Sequence, residues 1–296
     1  MSTQKPEPLD ADTVRELLYP EAGGGDPAEC EERRHPWLTP EQQAPTDRPL
    51  LRLWDKNSGS QPDEKGRMLA RAPRQRLCTR KSRRTSLGYH IDHGNWDVET
   101  PYISFSSSPE AIKKLAWHRD TYGVNRGPHE LIAINPGVRR AKGLPLLDVG
   151  AEMEHYGIED PYDDSDYYEN HYACLWEVTP EEIVRKWEWD ELMKSNEKDW
   201  YEEIVLPAFQ QHDDDFPLNH YASIFLNRLN EAAGLPCESS PAGRVGLVAR
   251  LMVSKLAQTS PRITPTPPHP ATATSHSLME DMRRRDGGTN TADGVA

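Results

Sequence analysis

"TPYISFSSSPEAIKKLAWHR", residues 100–119, places a short apolar strand directly before a serine cluster and an amphipathic helix. Ser108, Pro109 and Glu110 have the chemistry of an N-cap, a first helical residue and a first-turn acid. Ala111, Ile112 and Leu115 follow at helical spacing. Ser104 and Ser106 lie two apart, so on a strand they project from one face. Two neighbouring hydroxyls suit a surface that a ligand approaches closely. They suit an ordinary solvated strand equally well, and the stretch alone leaves both readings open.

Working outward, "PLLRLWD" at 49–55 is a strand stopped by the turn-forming "KNSGS". "HELIAINP" at 129–136 alternates before a proline stop and predicts a second core strand, and "GLPLLDVG" at 143–150 predicts a short strand or tight connection. Residues 151–170 are acidic, aromatic and turn-rich, an exposed loop or short helix bordering a cleft. "HYACLWEVTPEEIVRKWEW" at 171–189 predicts a strand through Trp176, a turn at Thr179 and Pro180, and a further strand. Spacing turns helical from Asp190 to Gly234, where Gly234 makes a C-cap. The expected organisation is a disordered lead-in over 1–47 apart from a short helix at Asp10–Leu18, a mixed α+β domain over 48–190, a helical extension over 191–235, and a disordered low-complexity tail over 236–296.

Bulk properties agree with a small folded part. Only 35% of the 296 residues are hydrophobic, the mean hydropathy is −0.82, and there are 26 prolines. A net charge of −13 disfavours non-specific binding to nucleic acid or anionic membrane. No stretch approaches the roughly 18 apolar residues of a membrane span, and the first residues lack a secretory signal pattern. Cys30, Cys78, Cys174 and Cys237 form no C-x-x-C pair, so neither a disulfide framework nor a cysteine zinc site is expected. The expectation is an intracellular protein, cytoplasmic or nuclear.

Within this acidic chain, residues 67–84 carry a dense basic run, including "RKSRRTS". The favoured reading is a solvated surface loop; a nuclear-import or basophilic-kinase patch and an RNA contact are alternatives, the last lacking interleaved aromatics. His90, Asp92 and His93 could be metal ligands but are more simply a loop or a histidine network. Trp54, Trp96, Trp117, Trp176 and Trp187 are expected in the core, and Asp213–Asp215 in a solvated loop.

The order of an arginine strand ("LRLWD", with "PDE" downstream), "YISFSSSPEAIKKLA", "ELIAINP" and "YENHYACLWEVTPEEIVRKW" resembles the ADP-ribosyltransferase fold. It is closest to the A chains of cholera and heat-labile enterotoxins, over about 48–190, and more loosely it looks like a fungal domain of unknown function. The resemblance implies a split-sheet core with flanking helices and NAD as cofactor. It also implies that Arg52 sits at the cleft and anchors an NAD phosphate or braces the neighbouring strand, that Ser104 positions the last acidic residue, that the Phe105 and Ser106 strand walls the nicotinamide pocket, that Glu169 orients an acceptor, and that His90 holds ribose or pyrophosphate. The family's second glutamate is replaced here by His171. A carboxylate stabilises the oxocarbenium-like state formed when nicotinamide leaves, and a neutral imidazole brings no negative charge. The expected function is therefore a degenerate module binding a nucleotide or protein. An active NAD-dependent transferase, or a related nucleotide-processing enzyme with altered chemistry, is the alternative. A third possibility is an interaction protein with an unknown protein partner, using the basic run or the proline-rich 261–270 stretch.

Overall fold

The computed structural model describes residues 6–21, 30–38, 47–92, 96–123, 125–162, 167–194 and 199–216. The second amphipathic segment expected before Gly234, the tail, Cys237 and His93 lie outside them. In the opening stretch, β3 (Tyr102–Ser106) leads into α4 (Pro109–Tyr122). The Ser108 hydroxyl accepts from the Ala111 amide at 3.2 Å, satisfying one of the helix's unpaired N-terminal donors.

Six strands form an antiparallel sheet in the order β5-β6-β3-β1-β4-β8, comprising β1 (Leu50–Trp54), β3, β4 (Glu130–Ile134), β5 (Leu146–Asp148), β6 (His171–Leu175) and β8 (Ile183–Glu188). The fold is thus mixed helix and strand with a mainly antiparallel sheet. β1 pairs with β4 along its whole length but meets β3 only at Leu51–Ser106. A second, two-stranded sheet joins β2 (Met68–Leu69) to β7 (Glu177–Val178). Trp176 makes the kink between β6 and β7 at φ 62°, a left-handed conformation costly for a bulky residue. Its ring is fully buried, and its indole donates to the Gln75 carbonyl at 2.8 Å.

One face of the large sheet (Leu50, Ile103, Phe105, Ile132, Cys174) packs against Met68, Ala70 and Val178 of the small sheet. Two helical groups cover the opposite face. Over β5, β6 and one end of β3 lie α1 (Ala11–Leu18), α3 (Arg80–Ile91) and α6 (Val149–Tyr156), with Trp37 among them. Over β1 and β4 lie α4, α7 (Trp189–Met193) and the segment through Trp200 and Val205 into α8 (Leu206–Asp215). The expected helical extension therefore packs on the sheet as far as it is described.

Three expectations require correction. Where it is described, the lead-in is folded beyond the expected helix: Val14, Leu17, Leu18 and Trp37 are buried in the core, and Asp10 caps α1 by accepting from the Thr13 amide. The basic run is not a solvated loop, because its residues 80–84 begin α3 and its arginines fasten residues 6–7 and the Glu31–Trp37 stretch. Arg67 and Arg74 donate to backbone carbonyls of residues 6–7, and Arg67 pairs with buried Glu177 at 2.6 Å. Arg83, fully buried, pairs with Glu32 at 2.6 Å and stacks 3.7 Å from the Trp37 ring, helped by short α2 (Glu31–Arg34). Ser86, the serine that follows two arginines at kinase-like spacing, is buried and contacts the Tyr102 hydroxyl. Finally, Trp96 and Trp117 are surface residues, 53% and 46% exposed, and Asp213–Asp215 belong to α8 rather than a loop.

Candidate functional site

The two helical covers leave a seam along β3 and the start of β6. Cross-strand register puts Ser106 opposite His171 and Ser104 opposite Ala173, so Ser104, Ser106 and His171 share the seam face. All three are only partly buried. His90 reaches down from α3, with Nε2 2.8 Å from the Ser104 hydroxyl and Nδ1 3.1 Å from the Thr100 hydroxyl. Either neutral tautomer is satisfied, since each hydroxyl can donate or accept. The imidazole of His171 stacks on Tyr168 with ring centroids 5.5 Å apart, and the Tyr168 hydroxyl donates to the Ile91 carbonyl at 2.8 Å. Burial pushes that hydroxyl's pKa well above the ordinary tyrosine range. Ser106 is less available, because its oxygen accepts from the Ser108 amide at 3.0 Å.

Sequence reasoning put Arg52 with these residues, and the structure separates them. Arg52 lies between Leu50 and Trp54 on the opposite face, while β1 shows Leu51 and Leu53 to the seam. Its guanidinium donates to the Ser104 carbonyl at 3.0 Å and the Ser60 carbonyl at 3.4 Å, closing the gap where β1 and β3 diverge. Burial, with Arg119 nearby, pulls its pKa down to about 10. Arg52 is therefore placed as a strand brace. Arg52→Met is expected to lower unfolding free energy by about 1–3 kcal/mol through the orphaned carbonyls, while leaving any ligand response of the seam intact. Urea unfolding run beside a ligand-induced thermal shift separates the two; a lost response at unchanged stability would return Arg52 to the site.

Glu169 sits exposed in the turn before β6, whose left-handed Asn170 carries φ 60°. The seam face itself presents hydroxyls and imidazoles. Among the described residues, the buried carboxylates Glu31, Glu32, Asp55, Glu152, Glu177 and Glu182 are each held elsewhere by a basic side chain. Among the described residues no group of three His, Cys, Asp or Glu side chains could hold a metal, and no helix is long and apolar enough to cross a membrane.

A six-stranded antiparallel sheet backed by a two-stranded one, with a polar seam between two helical covers, is the class that fold and site define. A family model described as a domain of unknown function (DUF7587) matches residues 45–192, half of the chain, and the protein belongs to that family. No curated protein and no solved structure matches it.

Proposed function

We propose that the domain is an ADP-ribosyltransferase-like module that has lost transferase chemistry and uses the Ser104–His171 seam to hold a nucleotide or a related ligand. The observation that carries this reading is the seam's side-chain inventory: Ser104, Ser106, His90 and His171, with the nearest β6 acid, Glu169, exposed in the turn. The side-by-side placement of β6, β3 and β1 also supports it, because the resemblance implies neighbouring strands for the same segments. Departure of nicotinamide needs a negative group beside the ribose, and one well-placed electrostatic group contributes about 10²–10³ in rate. On the seam face β1 presents Leu51 and Leu53, while Arg52, expected at the cleft, lies on the opposite face, which weakens phosphate contact from β1 as well.

The test is thermal unfolding of the full chain with and without NAD, alongside an assay for released nicotinamide. Ligand at a hundred times its Kd adds about 2.7 kcal/mol, a rise of roughly 2–4 °C for a domain of this size. A rise without nicotinamide release is expected. Release, or ADP-ribose appearing on any acceptor, would make the protein an enzyme with Glu169 the next residue to replace. No rise would remove NAD from the account.

A further inference from the structure

At the end of β1, Asp55 is buried and one of its oxygens, Oδ2, lies 3.2 Å from Arg119 NH1, 3.0 Å from Arg126 NH1 and 3.7 Å from His129 Nδ1. Its other oxygen accepts from the Asn57 amide and the Ser58 hydroxyl. His129 has a second acid of its own, Asp120, at 2.8 Å. One carboxylate neutralises one guanidinium, yet two are pinned here, and no other acid among the described residues pairs with either. Arg119 also donates through NH1 to the Leu53 carbonyl at 3.1 Å, so among the described residues the anchoring contacts of both arginines run through NH1. The Arg119 and Arg126 side chains remain 17% and 28% exposed, so both reach the surface beside the buried carboxylate.

Stapling α4 to β1 would require only Arg119. Arg126 is added by a specific backbone device. A Cβ on Gly123 would first meet the Arg119 carbonyl oxygen and would also lie 2.6 Å from Arg126 Cδ and 2.8 Å from its Nε, so glycine leaves room both for the helix end and for this side chain as it folds back onto Asp55. The Lys56 side chain approaches the same loop at Gly127. Burial chiefly, and the Arg126 charge after it, draw the Arg119 guanidinium below its ordinary pKa against the pull of Asp55, while Arg119 and Arg126 hold the Asp55 carboxyl below the usual carboxylate range.

We propose that Arg119 and Arg126, locked on Asp55, form a bay that binds a phosphate-bearing anion. Two open guanidinium edges fixed side by side match the several oxygens of a phosphate, and an added anion relieves their mutual repulsion. The observations are separate from those behind the seam. The anion's source is either a free inorganic phosphate or the diphosphate of a nucleotide.

Calorimetric titration of the full chain with phosphate, pyrophosphate and ADP tests the bay. Pyrophosphate is expected to bind, Arg126→Gln to weaken it by about tenfold or more, and Arg52→Met to leave it unchanged. Arg126→Lys, which keeps the charge without the fork, is expected to fall between; equal urea midpoints confirm that each variant is folded. ADP binding more tightly than pyrophosphate, with the same Arg126 dependence, supports the bay with a nucleotide as source. Equal or tighter pyrophosphate supports it with a free anion. No binding of any of the three, or binding indifferent to Arg126→Gln, overturns it. An NAD-induced shift together with pyrophosphate binding that is absent or indifferent to Arg126→Gln keeps the seam reading while the bay fails, and Arg126-dependent pyrophosphate binding without an NAD shift does the reverse.

Discussion

A chain beginning at residue 45 is expected to lose cooperative folding although it keeps every residue that the family model matches. Val14, Leu17, Leu18 and Trp37 are buried in the same cluster as Leu87, Met153 and Trp176. Burying such side chains stabilises by about 1.5–3 kcal/mol each as an upper estimate, on the order of 10 kcal/mol together. Whole domains are stable by only about 5–15 kcal/mol. The truncation also takes Glu32 from Arg83, leaving a fully buried guanidinium without its acid, and breaking a buried pair in this way costs about 3–5 kcal/mol more. Glu177 loses the Leu9 amide that donates to it at 2.9 Å. The measurement is urea unfolding followed by tryptophan fluorescence, comparing residues 6–216 with 45–216. The longer fragment should give one sigmoidal transition and the shorter a shallow drift with dye-binding apolar surface. A cooperative transition of similar midpoint for 45–216 would show the N-terminal segment to be ornamental.

The helix of that segment was legible, but its burial escapes sequence inspection for a physical reason. A few scattered apolar side chains in a polar stretch leave its composition that of a flexible leader, and its other anchors are ion pairs whose partners lie far along the chain. Arg83 finds Glu32 across 51 positions, and Arg67 finds Glu177 across 110. A dense basic run looks solvated until those acids are located. Local chemistry was legible by contrast. The Ser108 cap, the helix after it, and the strands over Leu50–Trp54, Glu130–Ile134 and His171–Leu175 all follow from neighbours a few residues apart.

The seam was half legible. Period two puts Ser104 and Ser106 on one face whatever surrounds them, and antiparallel register brings His171 beside them. The face of Arg52 was not legible, although its bracing of the neighbouring strand was one of the two roles expected, because β1 reads L-L-R-L-W, apolar on both faces, so alternation does not say which face the arginine takes. A strand covered on both sides loses the signal that fixes phase. The Asp55 bay was invisible for a related reason: its arginines come from the far end of α4 and the loop beyond it, 64 and 71 residues from the carboxylate, with nothing local to join them.

Arg139→Met is expected to be the most damaging single substitution in the domain. Arg139 belongs to α5 (Pro136–Ala141) and is completely buried. It donates to the carbonyls of Pro145 at 2.8 Å, Glu177 at 2.8 Å and Leu175 at 2.9 Å, and to Glu182 Oε2 at 2.8 Å. One guanidinium therefore ties α5 to the approach to β5, to the end of β6 and to β7, on either side of the left-handed Trp176. Burial opposes its charge, but Glu182 and Glu177 nearby hold its pKa above the ordinary arginine value. Methionine fills much of the volume yet leaves the Glu182 carboxylate unpaired in the interior, a loss of about 3–5 kcal/mol. Glu182→Gln should cost less, because its Oε1 can still accept from the Thr179 amide, now at 2.8 Å. The double variant should then recover part of the Arg139→Met loss, since no unpaired charge remains. A urea double-mutant cycle reads that coupling directly. Strict additivity of the two substitutions, or an Arg139→Met loss under about 1 kcal/mol, would mean that the pair is not the tie between α5 and the sheet that its four bonds describe.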